Sequence, residues 1–187
     1  GELRKKISSC RDKDGLLKAL FDGLREKETD FMNGCLILKA SKKPFFRIVQ
    51  EWGLPSNAKG FLLKEDHVLV QYLKMEKKEI LVDDLMDRIM ADWDRQTLKE
   101  SMAFLQADIF FPIFRSQDHS LIGLIALGNP KLGPSSYVGR NIFWLTSLME
   151  LATTKLDNFI TQDQNKALIP YAGKSVADEV FRNKEDF

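Results

Sequence analysis

Two apolar runs separated by a short polar stretch constrain the fold of this chain more than any other feature. Residues 107–114 and 121–128 are almost wholly apolar, whereas Arg115 to Ser120 between them are polar. Each run is less than half as long as the roughly 20 residues of a membrane helix, and each has the length of a strand. A strand that is apolar on both sides is buried on both faces. We therefore predict a hairpin of two buried strands joined by a polar turn.

Helical spacing of apolar residues predicts a helix toward each end of the chain. Apolar residues recur every three or four positions from Leu3 to Leu24, with an interruption at Asp14. Asp14 is a possible cap for the second half, so this segment is either two helices or one rod. Toward the C-terminus the spacing continues from Ile142 to Phe159. We divide the chain into a lead-in helix at 1–14, one domain at 15–160 and a linker at 161–187.

The residues between these helices predict strands and short helices. Residues 34–40 and 45–52 are two short apolar runs and predict adjacent antiparallel strands. Asp66 is expected to cap a helix, residues 80–82 to form a short strand, and Asp83 to cap a further helix. Helical spacing then recurs once more before the central hairpin. The order of elements therefore predicts a small sheet bracketed by two terminal helices.

Composition excludes several classes of function. The chain has 187 residues, with 28 Lys and Arg against 27 Asp and Glu, and a net charge of +1. Because the basic residues are dispersed, there is no concentrated field to gather phosphates, and we expect no nucleic-acid partner. Two cysteines cannot form a disulfide framework or a four-ligand zinc site. The two histidines have no metal-ligand spacing to a second His or Cys, so we expect neither a metal nor a cofactor.

Catalytic machinery is not visible in the sequence. Cys35 lies within a predicted strand with no cation next to it in sequence, which is typical of a buried thiol and not of a nucleophile. His67 follows the predicted helix cap at Asp66, and His119 lies in the predicted hairpin turn. We expect a domain that is not an enzyme. A small enzyme that uses Cys35 with His67 remains the alternative.

One extended stretch resembles the GAF domain, a sensory and dimerising module of signalling proteins. Residues 107–113 read ADIFFPI, residues 121–129 read LIGLIALGN, and Lys131-Leu-Gly133 and Ser136-Tyr137 precede the closing helix. The resemblance covers residues 15–160. It implies an α+β fold, an α/β/α sandwich with a central antiparallel sheet of five or six strands. The terminal helices would cover one face, and the loops and short helices of residues 53–105 would form a pocket on the other.

The sequence departs from the signature of the GAF domains that bind cyclic nucleotides. Pro130 separates Asn129 from Lys131, Tyr137 stands in place of Phe, and Asn141-Ile142 replaces Asp-Glu. We therefore predict that cyclic AMP and cyclic GMP bind no better than millimolar, which calorimetry would measure.

The resemblance implies a cytoplasmic regulatory domain that binds an unknown small molecule or relays a conformational signal. The signal would pass along the closing helix to a C-terminal output domain, such as a nucleotide cyclase or a kinase. A pocket filled by the protein's own side chains is the open alternative, and the chain would then be a ligand-free dimerisation module. The residues expected at the pocket are Arg47, Trp52, Phe61, His67, Asp108 and Phe110.

The closing helix also predicts a parallel homodimer. A narrow apolar seam on a helix indicates a partner helix, whereas a broad apolar face indicates burial in the same domain. Phe143, Leu148 and Leu151 lie off the seam and are expected to face the sheet. Burial of the whole apolar circumference within one chain remains the alternative. The seam residues expected at the dimer interface are Ile142, Leu145, Met149, Leu156 and Phe159.

Overall fold

The computed structural model describes residues 1–26, 31–129 and 143–174. Its sheet has six strands in the order β3-β2-β1-β6-β5-β4, and neighbouring strands are antiparallel. The predicted hairpin is confirmed as β5 and β6. The strands are β1 Asn33–Lys39, β2 Phe45–Trp52, β3 Leu62–Lys64, β4 Ile80–Leu81, β5 Ile109–Phe114 and β6 Leu121–Gly128.

Helices cover both faces of this sheet. One face carries the helices near the two ends of the chain, and we call it the terminal-helix face: α1 Glu2–Ser9, α2 Lys13–Glu26 and α6 Phe143–Lys174. The opposite, short-helix face carries α3 Val68–Glu76, α4 Val82–Arg88, α5 Asp92–Leu105 and a 3₁₀ helix at Ser56–Gly60. The predicted α+β sandwich is thereby confirmed.

Each face of the sheet forms its own apolar core, which explains the uninterrupted apolar runs of the sequence. Leu36, Phe111 and Ile125 pack under the terminal helices. Phe110 and Ala126 alternate with them along β5 and β6 and pack under the short helices. Because successive side chains of a strand point to opposite faces, a sheet covered on both sides needs apolar residues at consecutive positions.

Several predicted boundaries and caps need correction. The N-terminal segment is two helices, and Asp12, not Asp14, accepts a hydrogen bond from the backbone N–H of Gly15 at 2.6 Å. His67, not Asp66, caps α3. The cap of α4 is Leu81, which offers no side-chain hydrogen bond, and Asp83 lies in the first turn of that helix. Helix α6 continues to Lys174, so the first part of the predicted linker at 161–187 is helical.

Three residues predicted at the dimer seam of α6 are buried within this chain. Leu145, Met149 and Leu156 have at most 1% of their surface exposed, and they belong to the core under the terminal helices. Phe159 is partly buried against the same core. Helix α6 contacts β5, α1 and α2, so these residues are buried within one chain. Ile142 lies outside the described residues.

The start of α6 differs from the prediction as well. Phe143, which we had expected to face the sheet, is 76% exposed, and its neighbour Trp144 is 48% exposed. None of the helices in the described part of the chain has the length and apolar character of a membrane span.

Candidate functional site

A row of small residues crosses the short-helix face at one end of the sheet. Asn33 of β1 is paired with Gly128 of β6, and the backbone N–H of Asp108, just before β5, donates to Leu127 at 2.8 Å. In the next row, Cys35 is paired with Ala126, and Ala126 with Phe110. The backbone of Gln106 and Ala107 packs directly on Gly128, and a Cβ at that position would lie 2.0 Å from the Gln106 carbonyl oxygen. Asn33 and Asp108 lie on the two sides of Gly128.

Asn33 is the residue of this row that most needs an explanation. Its side chain is 1% exposed, and within the described part of the chain neither its carboxamide oxygen nor its nitrogen has a hydrogen-bond partner. Buried polar groups in folded proteins are almost always hydrogen-bonded, because an unpaired one loses its contacts with water without compensation. The carboxamide of Asn33 therefore has one donor group and one acceptor that no described residue satisfies.

Asp108 occupies the other side of Gly128 and organises the backbone there. Its carboxylate, which is buried, accepts a hydrogen bond from the backbone N–H of Asn129 at 2.8 Å. Its carbonyl oxygen accepts from the N–H of Val82 at 2.9 Å. Asp108 thus ties the end of β6 to the beginning of β5 and α4. The segment that follows Asn129, residues 130–142, lies outside the described residues.

Cys35 lies in the second row, and its environment makes the thiol inert. Burial raises the pKa of Cys35 to about 12, and the negative charge of Glu51 acts in the same direction. Glu51 is the β2 neighbour of Cys35, and its carboxylate accepts from the N–H of Leu54 at 3.2 Å. Since the thiolate is the reactive form, Cys35 has no nucleophilic character near neutral pH.

His67 has a structural role that uses both of its ring nitrogens. Nδ1 accepts a hydrogen bond from the N–H of Leu69 at 3.0 Å, so the proton is on Nε2, which donates to Ser101 Oγ at 2.8 Å. These bonds join the start of α3 to the middle of α5. Burial lowers the pKa of His67, because a charged imidazolium would lose its hydration there. Protonation of Nδ1 would break its hydrogen bond with the N–H of Leu69 at the start of α3.

Four of the six residues predicted at the pocket lie toward the short-helix face. They are Phe61, His67, Asp108 and Phe110. Phe61 stacks on Phe104 of α5 with 5.4 Å between the ring centroids, and Phe110 is completely buried in the core of this face. Each of these aromatic rings is already packed against the protein.

Trp52 and Arg47, the other two residues predicted at the pocket, lie on the opposite side of the sheet. Trp52 packs on Phe21 of α2 with 4.7 Å between the ring centroids. Arg47 is exposed and is paired with Leu38, which faces the terminal helices.

A bulge in β2 causes the misplacement of Trp52. Leu36 is paired with Gln50 and Ile37 with Ile48, so Val49 is an extra residue in the strand. In a regular strand, the side chains at positions 46 and 52 would lie on the same face. Because the bulge adds one residue between them, Phe46 faces the short helices and Trp52 faces the terminal helices.

Asn33 and Glu51 are not among the residues predicted at the site. A signal for Asn33 was available, since it is a polar residue immediately before the apolar run of β1. Its burial was not visible, because a polar residue at the start of a strand is equally typical of an exposed loop. Among the described residues, no group of three His, Cys, Asp or Glu side chains is arranged to hold a metal ion.

A single antiparallel sheet with helices on both faces defines an α+β sandwich, and solved structures identify its type. The GAF domain of an Acinetobacter phosphoenolpyruvate-protein phosphotransferase is similar, with a TM-score of 0.58 and 12% identity over 88% of this chain and 91% of that one. The GAF domain/HD domain protein from Geobacter sulfurreducens has a TM-score of 0.55 and 14% identity over 83% of this chain and 98% of that one. The GAF domain of a two-component sensor histidine kinase from Bacillus halodurans has a TM-score of 0.54 and 13% identity, over 84% of this chain and 99% of that one.

The chain therefore has the fold of a GAF domain, as its sequence resemblance implied. No protein-family model and no curated protein matches the sequence.

Proposed function

We propose that this chain is a non-enzymatic sensory domain that binds a small molecule over Asn33 on the short-helix face. The observation that carries the proposal is the buried carboxamide of Asn33, whose donor and acceptor have no partner in the described part of the chain. A ligand with one acceptor and one donor group would satisfy both atoms.

Strand β5 offers a direct route from this site to α6. Phe110 points toward the proposed site, whereas Ile109 and Phe111 on either side of it pack in the core that includes α6. A shift of β5 on ligand binding would therefore move the helix that leaves the domain. Proteins carry signals through packed elements of this kind when a ligand binds one arrangement better than another.

The structural neighbours support an attached output domain. Their descriptions name a sensor histidine kinase, an HD domain protein and a phosphotransferase, each with a GAF domain. We propose that α6 leads to such a domain beyond residue 187, and that the protein acts in the cytoplasm.

Native mass spectrometry of freshly purified protein tests the proposal. We expect a bound small molecule, and we expect Asn33→Leu to lose it because leucine has no hydrogen-bonding groups. Asn57→Leu is the matched control, since Asn57 is exposed in the 3₁₀ helix and should leave the bound mass unchanged. A polypeptide mass alone, together with no thermal stabilisation by a panel of metabolites, would contradict ligand binding.

Dimerisation without a ligand is a second candidate, and the exposed start of α6 favours it. Phe143 and Trp144 border a surface cleft of about 370 Å³ that Leu3 and Arg4 of α1 also line. Exposed aromatic residues beside such a cleft are typical of protein interfaces. Light scattering on the wild type and on Phe143→Glu with Trp144→Glu tests it: a dimer that dissociates on substitution supports this function, and a monomeric wild type contradicts it.

A further inference from the structure

A cleft of about 710 Å³ lies at the end of the sheet opposite Asn33. The turn between β1 and β2 and the turn between β5 and β6 meet there, and α3 and α6 close the sides. The volume is within the range of about 300–1,000 Å³ that is usual for small-molecule sites. None of the residues predicted at the pocket lies here.

The cleft carries a net positive charge. Lys39, Lys42, Lys74 and Arg115 line it against one carboxylate, Glu65. Glu65 lies 3.5 Å from the Lys39 ammonium, and Lys39 also donates to the Lys43 carbonyl. In the part of the chain that the structure describes, Lys42 and Lys74 have no carboxylate within ion-pair distance. A chain with a net charge of only +1 therefore concentrates unneutralised positive charge at this point.

Arg115 is held in place by a well-bonded turn. Its backbone N–H donates to Ser120 at 2.8 Å, and its guanidinium lies 3.8 Å from the Asp118 carboxylate. That carboxylate also accepts from the hydroxyl and the backbone N–H of Ser120. A guanidinium oriented by its turn loses little freedom when it binds an anion, and its planar donors match the oxygens of a phosphate.

We propose that this cleft binds a phosphorylated small molecule. The phosphate would interact with Lys42, Lys74 and Arg115, which come from three separate elements and line one cavity. The remaining wall is apolar, with Leu38 and Ile122 from the sheet. This apolar wall would pack against the uncharged part of an organic phosphate. An inorganic phosphate ion has no such part.

The occupant of the cleft would touch the helix that leaves the domain. Ile160 of α6 lines the cleft, and Asp157, one turn earlier, accepts a hydrogen bond from the N–H of Ser116 in the β5–β6 turn at 3.2 Å. Binding here does not depend on a ligand at Asn33. The two sites lie at opposite ends of the sheet, so each is tested without the other.

NMR titration of the ¹⁵N-labelled protein with phenyl phosphate tests the proposal. We expect saturable shifts centred on the amides of Lys42, Arg115 and Ile160. Lys42→Gln with Lys74→Gln should weaken binding by about tenfold or more, because two charge-assisted contacts are lost. The matched control is Lys59→Gln with Lys99→Gln, which removes the same charge from exposed positions outside the cleft and should leave the affinity unchanged.

Three results would overturn the proposal. The first is a titration that does not saturate, and the second is an equal loss of affinity in the control pair, which would indicate diffuse attraction to surface charge. The third is inorganic phosphate binding as tightly as phenyl phosphate, which would assign the cleft to an inorganic anion. Circular dichroism of each variant establishes that it is folded. Lys42 and Lys74 are exposed, so we expect both substitutions to be tolerated.

Discussion

Replacing Asn33 with leucine should make the ligand-free domain more stable, although it removes the proposed binding residue. Leucine has the same branching of heavy atoms as asparagine but no polar atoms. The substitution therefore keeps the shape of the side chain and removes a donor and an acceptor that have no partner among the described residues. Residues that bind ligands are often destabilising in this way, since the scaffold holds a group that it does not itself satisfy.

The expected gain follows from the burial of Asn33. Leaving a buried donor or acceptor unpaired costs about 1–3 kcal/mol, and replacing it with an apolar group of similar shape removes that cost. Asn33 is 1% exposed, so its carboxamide recovers little hydration. We expect Asn33→Leu to raise the free energy of unfolding by about 2 kcal/mol. For a domain of this size that corresponds to an increase in Tm of roughly 4–8 °C.

The assay is urea unfolding of protein that has been unfolded, dialysed and refolded to remove any bound molecule. Wild type, Asn33→Leu and the exposed control Asn57→Leu are compared by circular dichroism at equal concentration. The control should change the free energy of unfolding by no more than about 0.5 kcal/mol, as is usual for a surface substitution. An unchanged m-value would indicate that the variants expose similar surface on unfolding.

A loss of stability in Asn33→Leu would refute the reasoning. It would mean that the carboxamide is satisfied in the ligand-free protein, for example by an ordered water, and that the empty site costs nothing. The proposed function would then lose the observation that carries it. A gain in stability with no bound mass in the wild type would separate the claim about stability from the claim about binding. The unpaired carboxamide would then be destabilising, but no ligand would occupy the site.

Three further outcomes are expected. In Cys10→Ser, Cys35 should react with a thiol reagent at pH 7.5 only as fast as the domain unfolds, because burial raises its pKa to about 12; rapid labelling of the folded protein would show an accessible thiolate. The pKa of His67 is lowered from its ordinary 6.5 by burial, so the unfolded state binds more protons, and wild-type stability should fall as the pH drops below about 6.5. His67→Asn retains a capping side chain and should flatten that fall, as urea unfolding from pH 7.5 to 5 would measure. Leu156→Ala should cost about 2–5 kcal/mol in the monomer because Leu156 is fully buried, whereas exposed Leu62→Ala should cost far less; equal losses would place Leu156 outside the core.

The sequence determined the central hairpin and the layered architecture. The apolar runs at 107–114 and 121–128 require burial on both faces, and a sheet with helices on each side provides it. The spacing of apolar residues likewise predicted helices near both ends of the chain. These features are local consequences of hydrophobic periodicity, so they could be predicted without knowing which elements touch.

Tertiary contacts decided the placement of individual side chains. The extra residue at Val49 changes the face of the sheet on which the Trp52 side chain lies. No local pattern in the sequence of β2 predicts this bulge. The face of α6 that resembles a dimer seam packs against the sheet and α1 of the same chain. Apolar residues spaced three and four apart are typical both of a helix that packs within its domain and of one that packs on a partner helix.

The candidate sites also depend on tertiary structure, because each joins residues that are distant in sequence. Asn33 is a candidate because its carboxamide is buried without a partner among the described residues. This depends on the packing of β6 and the segment around Asp108 beside it. The positive cleft needs Lys42 and Arg115, which lie 73 positions apart and meet because two hairpins turn at the same end of the sheet. Hydrophobic periodicity predicts which elements form, but the distance between two polar groups follows from strand order and register, and these are set by the packing of the whole domain.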